Sequence, residues 1–298
     1  MNIGFIFAIL AALFNASVGV LSEGAFISGV SAVQVAFYKC LVALLILSIA
    51  LSCNSSQLKE CFALRKHIFK IIPLALCGIF VLYYFETSAY QFTSIALTVF
   101  TLQGVSTITT FLASHFVLKV RHSQKDWLSL VLAMIGLAIF YLSSNDSFKI
   151  NWGLLLATVA GIGYGLFLTL NKKVKLPHQG VPLLWWLLLL GTIFLAIPST
   201  FNQFTLPSFN GLICIAALAI LGTIGGFYCT IKALTLLDAA KVQLYELSEP
   251  IFAAALGLLF FDQILGFSDI LGALFIFSAI LLLNRPIKSA AVSEDLIH

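Results

Sequence analysis

The stretch SAYQFTSIALTVFTLQ, residues 88–103, has a counterpart 144 residues further on in KALTLLDAAKVQLYEL, residues 232–247. At that offset Ala89 meets Ala233, Ala96 meets Ala240 and Phe116 meets Phe260. One residue of slippage then lays Asp126-Trp-Leu-Ser over Asp269-Ile-Leu-Gly. Near the starts of the two halves Gly4 meets Gly153 and Ala8 meets Ala157. Apolar segments resemble one another by chance, so the weight rests on the order of the segments, five in each half.

Those segments run approximately 3–22, 32–53, 69–88, 95–117, 127–143, 152–170, 181–198, 210–231, 242–261 and 269–284. Hydrophobic residues make up 61% of the chain and charged residues 9%, against roughly 25% charged in ordinary soluble domains. A soluble fold of this composition would lack the polar surface to stay dissolved. At about 20 apolar residues per transmembrane helix, ten crossings use most of the 298 residues and leave no room for a separate soluble domain. The spacing predicts an all-α integral membrane protein, since the strict alternation of a membrane β-strand is missing. Ile3 to Val20 lacks a positive leader and reads as a retained first span rather than a signal peptide.

The basic residues give the orientation. Fourteen of the sixteen Lys and Arg fall in alternate gaps or the tail: Lys59, Arg65, Lys66 and Lys70; Lys119, Arg121 and Lys125; Lys172, Lys173 and Lys175; Lys232 and Lys241; Arg285 and Lys288. The opposite gaps hold only Lys149, and Lys39 lies inside span 2. Cytoplasmic loops retain Lys and Arg, so both ends are placed in the cytoplasm. The net charge of +4 is thereby read as topogenic, and no nucleic-acid partner is expected. Five spans per half is an odd number, so the second copy inserts upside down relative to the first. The chain divides into a first five-helix repeat at 1–146, an inverted second at 147–288 and a polar tail at 289–298. Inverted repeats place a site at their interface near the bilayer midplane.

The six cysteines show no close pair and no metal-site spacing, and read as small core residues. No metal or cofactor is expected. Gly161-Ile-Gly-Tyr-Gly and Gly222-x2-Gly225-Gly226 have no preceding strand and no Walker lysine. They suit close helix packing instead. No HExxH, GxSxG or paired intramembrane aspartate motif supports an intramembrane enzyme. A channel would need a continuous polar lining that these spans do not offer.

The chain resembles the drug/metabolite transporter superfamily, specifically its EamA-type ten-helix members. The resemblance covers essentially the whole chain. It rests on Phe14-Asn15-Ala16-Ser17 in span 1, Tyr164-Gly165 at the matching place in span 6, and Phe37-Tyr-Lys-Cys-Leu-Val-Ala in span 2. Ala233-Leu-x4-Ala239-Ala240 followed by Glu249-Pro250, and Leu271-Gly-Ala, resemble the signatures of helices 8 to 10. Lys39 departs from the Arg often found in span 2, and Val105-Ser106 stand where a second Glu-Pro pair would be. The resemblance implies export or import of amino acids, amines, nucleotide-linked metabolites or drugs.

Intramembrane charge marks the candidate site, because a charge at the bilayer centre costs about 2.5–3.5 kcal/mol even on the lenient insertion scale. Glu246 and Glu249 sit three residues apart in span 9, and Lys241, Tyr245 and Glu249 follow at four-residue steps. Pro250 removes a backbone donor and frees the Glu246 carbonyl. The two carboxylates are read as a proton or cation site beside the substrate; alternatively one pairs with Lys39 or Lys232 as a structural ion pair. Lys39 is expected to find a structural partner or to snorkel outward. Tyr83, Glu86 and Tyr90 form a stripe that would line an outer vestibule or an interfacial belt.

The resemblance adds Asn15, Ser17, Gln103, Thr107, Tyr164 and Tyr228 as cavity-facing substrate candidates, with interhelical hydrogen bonding as the alternative. Trp185 and Trp186 are assigned to the belt and His115 to interfacial packing. An aromatic cavity with two carboxylates suits an ammonium-bearing solute. The reading is therefore a secondary transporter of a small polar metabolite, amino acids or amines first, in a bacterial inner membrane, as a monomer or homodimer. The alternatives are a larger nucleoside-containing or drug-like organic cation and a membrane assembly protein.

The charge pattern makes a direct test. Single cysteines at Lys149 and Lys173 in a background without native cysteines, probed with an impermeant reagent, should label from outside at 149 only. Labelling at 173 alone would invert the orientation.

Overall fold

The computed structural model describes residues 3–143, 152–201, 205–261 and 266–284. Among them every regular element is helical, as expected where no water is present to satisfy backbone polar groups. The helices are α1 (Ile3–Ile27), α2 (Ala32–Ser52), α3 (Ser55–Ala89), α4 (Ile95–Val117), α6 (Trp152–Val174), α7 (Val181–Ser199) and α8 (Phe209–Leu236), each long and apolar enough to cross a membrane. They are joined by α5 (Gln124–Ser143), by α9 in two pieces, Ala239–Glu246 and Glu249–Phe261, and by α10 (Phe267–Asn284). Lys149, Arg285, Lys288 and the tail at 289–298 lie outside the described residues, as does the side chain of Asp269.

Local chemistry sets the helix starts. Ser31 caps α2 with a full capping box, its Oγ accepting from the Gln34 amide while the Gln34 side chain accepts from the Ser31 amide. Ser94 and Ser208 accept from the third residues of α4 and α8, Leu97 and Gly211. Each satisfies one of the orphan amides of a first turn. Gly180, at a φ of 83°, turns the chain into α7, a conformation open to glycine and costly for residues with a Cβ.

One gap differs from the sequence expectation. The segment after span 2 is not a loop: Ser55–Leu64 is helical, and a 3₁₀ turn at Arg65–His67 joins it to the rest of α3. Asn54 caps it through the Gln57 amide, and Cys61 and Leu64 face inward. Its polar residues make it amphipathic, without the continuous apolar run of a membrane span. Trp186 donates from Nε1 to the Cys61 carbonyl at 2.8 Å, and Trp185 to Ser48 Oγ at 2.8 Å. These two tryptophans pin α7 to α3 and α2, which corrects their assignment to an interfacial belt.

The packing follows the repeat. α3 packs on α6 as α8 packs on α1, while α2 faces α7 and α5 faces α10. The π-helical stretches Leu76–Val81 in α3 and Ala219–Gly226 in α8 occupy matching places, since an offset of 144 carries the first onto 220–225. The symmetry is incomplete. α4 and α6 run unbroken, whereas α1 turns at Ala16–Ser17 and α9 at Leu247–Ser248. The α9 break falls where Pro250 has no N–H to offer the Glu246 carbonyl.

Small residues let the helices approach. A Cβ added at Gly161 would stand 2.6 Å from the Leu102 carbonyl oxygen, and one at Gly165 would stand 2.7 Å from that of Ser106. A Cβ at Gly104 would meet nothing closer than Met134 Cε at 3.6 Å. Gly161→Ala should therefore destabilise the fold by about 1–3 kcal/mol through overpacking. Gly104→Ala should be neutral or gain up to about 1 kcal/mol of helix propensity. Thermal unfolding of both variants in detergent checks the contrast.

Candidate functional site

The buried charged side chains and their polar partners form three connected groups at the interface of the repeats. The first joins α2 to α3. Lys39 is 1% exposed, with Nζ 3.9 Å from Glu86 Oε2 and 3.8 Å from the centre of the Tyr83 ring. Tyr90 donates from its hydroxyl to Glu86 Oε1 at 3.2 Å. Lys39 thus has its structural partner, and that partner is Glu86 rather than Glu246 or Glu249. It is enclosed, so it does not snorkel. Tyr83 and Glu86 are buried as well, which moves their stripe from an outer vestibule to the interior.

The second group joins α6, α8 and α9. Tyr164 donates to Glu246 Oε2 at 2.6 Å and Thr230 to Glu246 Oε1 at 2.6 Å. The third joins α4 to α9. Gln103 donates to Glu249 Oε2 at 2.5 Å. Gln243 donates from Nε2 to Gln103 Oε1 and Ser106 Oγ, each at 2.8 Å, and to Thr107 Oγ1 at 3.3 Å. Thr107 and Ser106 in turn donate to the Gln103 carbonyl at 2.7 and 3.1 Å. Glu246 closes the first piece of α9 and Glu249 opens the second, so a turn, rather than one continuous helix face, separates the two carboxyls.

A cavity of about 30 Å³ lies among these groups, walled by Asn15, Val18, Lys39, Leu82, Tyr83, Glu86, Leu102, Gln103, Tyr164, Gly222, Thr223, Phe227 and Glu249. That is space on the scale of one water molecule. Seven residues singled out in the sequence meet here: Asn15, Lys39, Tyr83, Glu86, Gln103, Tyr164 and Glu249. Asn15 packs its side-chain oxygen against Gly226, where a Cβ would collide with it. Glu246 and Thr107 stand behind the wall, through Tyr164 and Gln103.

The other candidates lie elsewhere. Ser17 donates back to the Phe14 carbonyl at 2.7 Å and stabilises the turn in α1. Tyr228 packs edge-on against Phe7, and Lys232 Nζ stands 5.7 Å from the centre of the Tyr228 ring. Lys232 is within 4 Å of neither glutamate. Tyr245 meets Phe5 edge-to-face at 5.0 Å. It lines a second, larger cavity of about 820 Å³, together with Phe111, Arg121, His122, Asp126, Asp238, Lys241 and Leu281, among others. This cavity opens beside the basic loops. His115 sits next to it, Nδ1 3.3 Å from the Val120 carbonyl. Among the described residues no three His, Cys, Asp or Glu side chains converge on a point that could hold a metal ion.

Three residues of the site escaped the sequence reading. Thr230 and Phe227 could have been found: the offset of 144 already in hand sets Thr230 opposite Glu86 and Phe227 opposite Tyr83. Tyr83 and Phe227 indeed meet across the repeat interface, edge-to-face at 5.5 Å. Gln243 faces Val99 at that offset, so the repeat carries no signal for it, and a neutral amide stands out less than a charge.

The model of the EamA-like transporter family matches residues 2–142 and again residues 151–285. A solved structure titled "Crystal structure of protein" superposes with a TM-score of 0.76 over 94% of this chain and 96% of its own, at 12% identity. It is one of 29 solved chains that match, and at that identity the likeness speaks for the fold alone. No protein with curated function matches.

Gln243 is the test of the third group. Gln243→Leu removes the donor to Gln103 Oε1 and leaves a buried acceptor unpaired, at a cost of about 1–3 kcal/mol. Thermal unfolding in detergent should show the loss, and Gln243→Glu, which also replaces the donating amide, should not restore stability.

Proposed function

Since this chain belongs to the EamA-like transporter family, and is a membrane transporter on that ground, we propose that it is a secondary carrier for a small metabolite bearing a protonated amine. The observation that carries this is the charge balance at the repeat interface. Among the described residues three carboxyl side chains, Glu86, Glu246 and Glu249, are buried there with a single cation, Lys39. Aromatic rings of Tyr83, Tyr164 and Phe227 complete the wall. Carboxylates and ring faces together attract organic ammonium groups. A dianionic solute would want several central basic groups instead.

On this reading the inverted halves exchange roles, so that the site opens to one side and then the other. The larger cavity beside the basic loops is the inner vestibule, both ends of the chain are cytoplasmic, and the membrane is a bacterial plasma membrane. Phe5 and Tyr245, edge-to-face at 5.0 Å, form part of the vestibule wall. Glu249 binds the amine or a coupling proton, because it borders the cavity and its bond to Gln103 is to a neutral donor. Glu246, held by two hydroxyls behind Tyr164, is the second proton site. Amino acids and related amines are favoured. The size of the vestibule supports a second reading, a larger nucleoside-containing or drug-like organic cation.

Uptake by proteoliposomes against a panel of amines, amino acids and nucleoside-containing cations, with and without a pH gradient, tests the proposal. Saturable flux of at least one amine is expected, and Glu249→Gln should lower it by about tenfold or more. Folded protein that carries no solute of the panel would overturn the carrier reading. Unchanged flux and pH dependence in Glu249→Gln would remove that residue from the mechanism.

A further inference from the structure

The Lys39 ammonium is placed where a substrate's ammonium would be expected. Its Nζ lies over the Tyr83 ring at 3.8 Å and beside Glu86 Oε2 at 3.9 Å. The second distance is an ion pair without a hydrogen bond, and no described residue accepts a hydrogen bond from Nζ. A buried ammonium has three donors to satisfy, so this is a loose fit for a purely structural pair. The niche itself is firmly built. Phe227 packs edge-on against Tyr83 at 5.5 Å, and Tyr90 holds the other Glu86 oxygen at 3.2 Å. The walls are anchored, and the occupant hangs on a flexible four-carbon stem.

The remaining free space points the same way. The adjoining cavity of about 30 Å³ is too small for an organic cation, and Lys39 is part of its wall. Withdrawing that side chain is the smallest change that would make room for a ligand against both Tyr83 and Glu86. Glu249 and Gln103 border the same cavity, so a displaced ammonium would still face a carboxyl and an amide.

We propose that Lys39 is a tethered competitor for the substrate: its ammonium occupies a Tyr83–Glu86 niche for organic ammonium groups when the carrier is empty, and the substrate must displace it. This rests on the carrier reading above and assigns Lys39 a role in setting affinity. It explains why a lysine serves here, since its compact ammonium point charge fills an ammonium niche in a way that a planar guanidinium would not.

Truncation makes the niche accessible to a probe. Lys39→Ala removes three carbons and the ammonium, the heavy atoms of n-propylammonium. Purified Lys39→Ala in detergent should bind n-propylammonium saturably, by calorimetry or by a rise in unfolding temperature, at least about tenfold more tightly than the native protein. The double variant Lys39→Ala/Glu86→Gln should lose that gain. Equal binding to native and Lys39→Ala protein, or a gain that survives Glu86→Gln, overturns the proposal. If Lys39→Ala does not fold, Lys39→Val with ethylammonium, the atoms beyond Cγ of the native side chain, gives the same comparison with the same two outcomes. The assay reads binding and not flux. A folded native protein that carries no amine therefore counts against the carrier reading, while a missing gain in a protein that does carry amines counts against Lys39 alone.

Discussion

Carboxyl groups inside an apolar bundle must find their donors on the protein, because no solvent there supplies them. That constraint organises this molecule. Glu86 is held by Lys39 and Tyr90, Glu246 by Tyr164 and Thr230, and Glu249 by Gln103. The donors and acceptors come from α2, α3, α4, α6, α8 and α9; one group bridges the two repeats, and the other two join helices within the first and within the second. Around them Gly161 and Gly165 let α6 approach α4, and Gly226 lets α8 approach Asn15 of α1.

The departures from symmetry are as informative as the symmetry. Related sequences form matching π-helical stretches in α3 and α8, yet α1 and α9 are broken while α4 and α6 are continuous. The large cavity lies beside the broken pair and the basic loops. In the proposed carrier cycle the asymmetric arrangement has a counterpart in which the halves trade conformations. In the carrier reading this is the step that moves the site from one side to the other.

Much of this was legible beforehand. The helical class and the two-repeat order follow from apolar length and a repeat offset, and charge where charge is costly singles out Lys39, Glu86 and Glu249. Asn15, Gln103 and Tyr164 entered by family resemblance, and Tyr83 with Glu86 was expected at an outer vestibule or belt, so their meeting in one cavity was not legible. The helical start of α3 was missed because an amphipathic turn rich in polar residues does not register as a span. Trp185 and Trp186 were misassigned because a tryptophan near a span end serves a membrane interface and a helix contact equally well by sequence. Ser17, Tyr228 and Tyr245 illustrate a further limit. A polar residue on a suitable helix can satisfy its own backbone or face a vestibule, and helical spacing does not distinguish these from the central cavity.

The sequence by itself determined the solvent, the helical class and the repeat, because hydrocarbon thickness and unsatisfied backbone groups act on every segment regardless of its neighbours. It also exposed Lys39, Glu86, Glu246 and Glu249 as charges that topology does not explain. Only the tertiary structure decided which of them meet. Lys39 took Glu86 and left both α9 carboxyls to neutral donors, and Gln243 became the hub of a network that no spacing foretold. The pairing of buried polar groups depends on distances of a few ångströms between helices far apart in the chain, and those are set by packing.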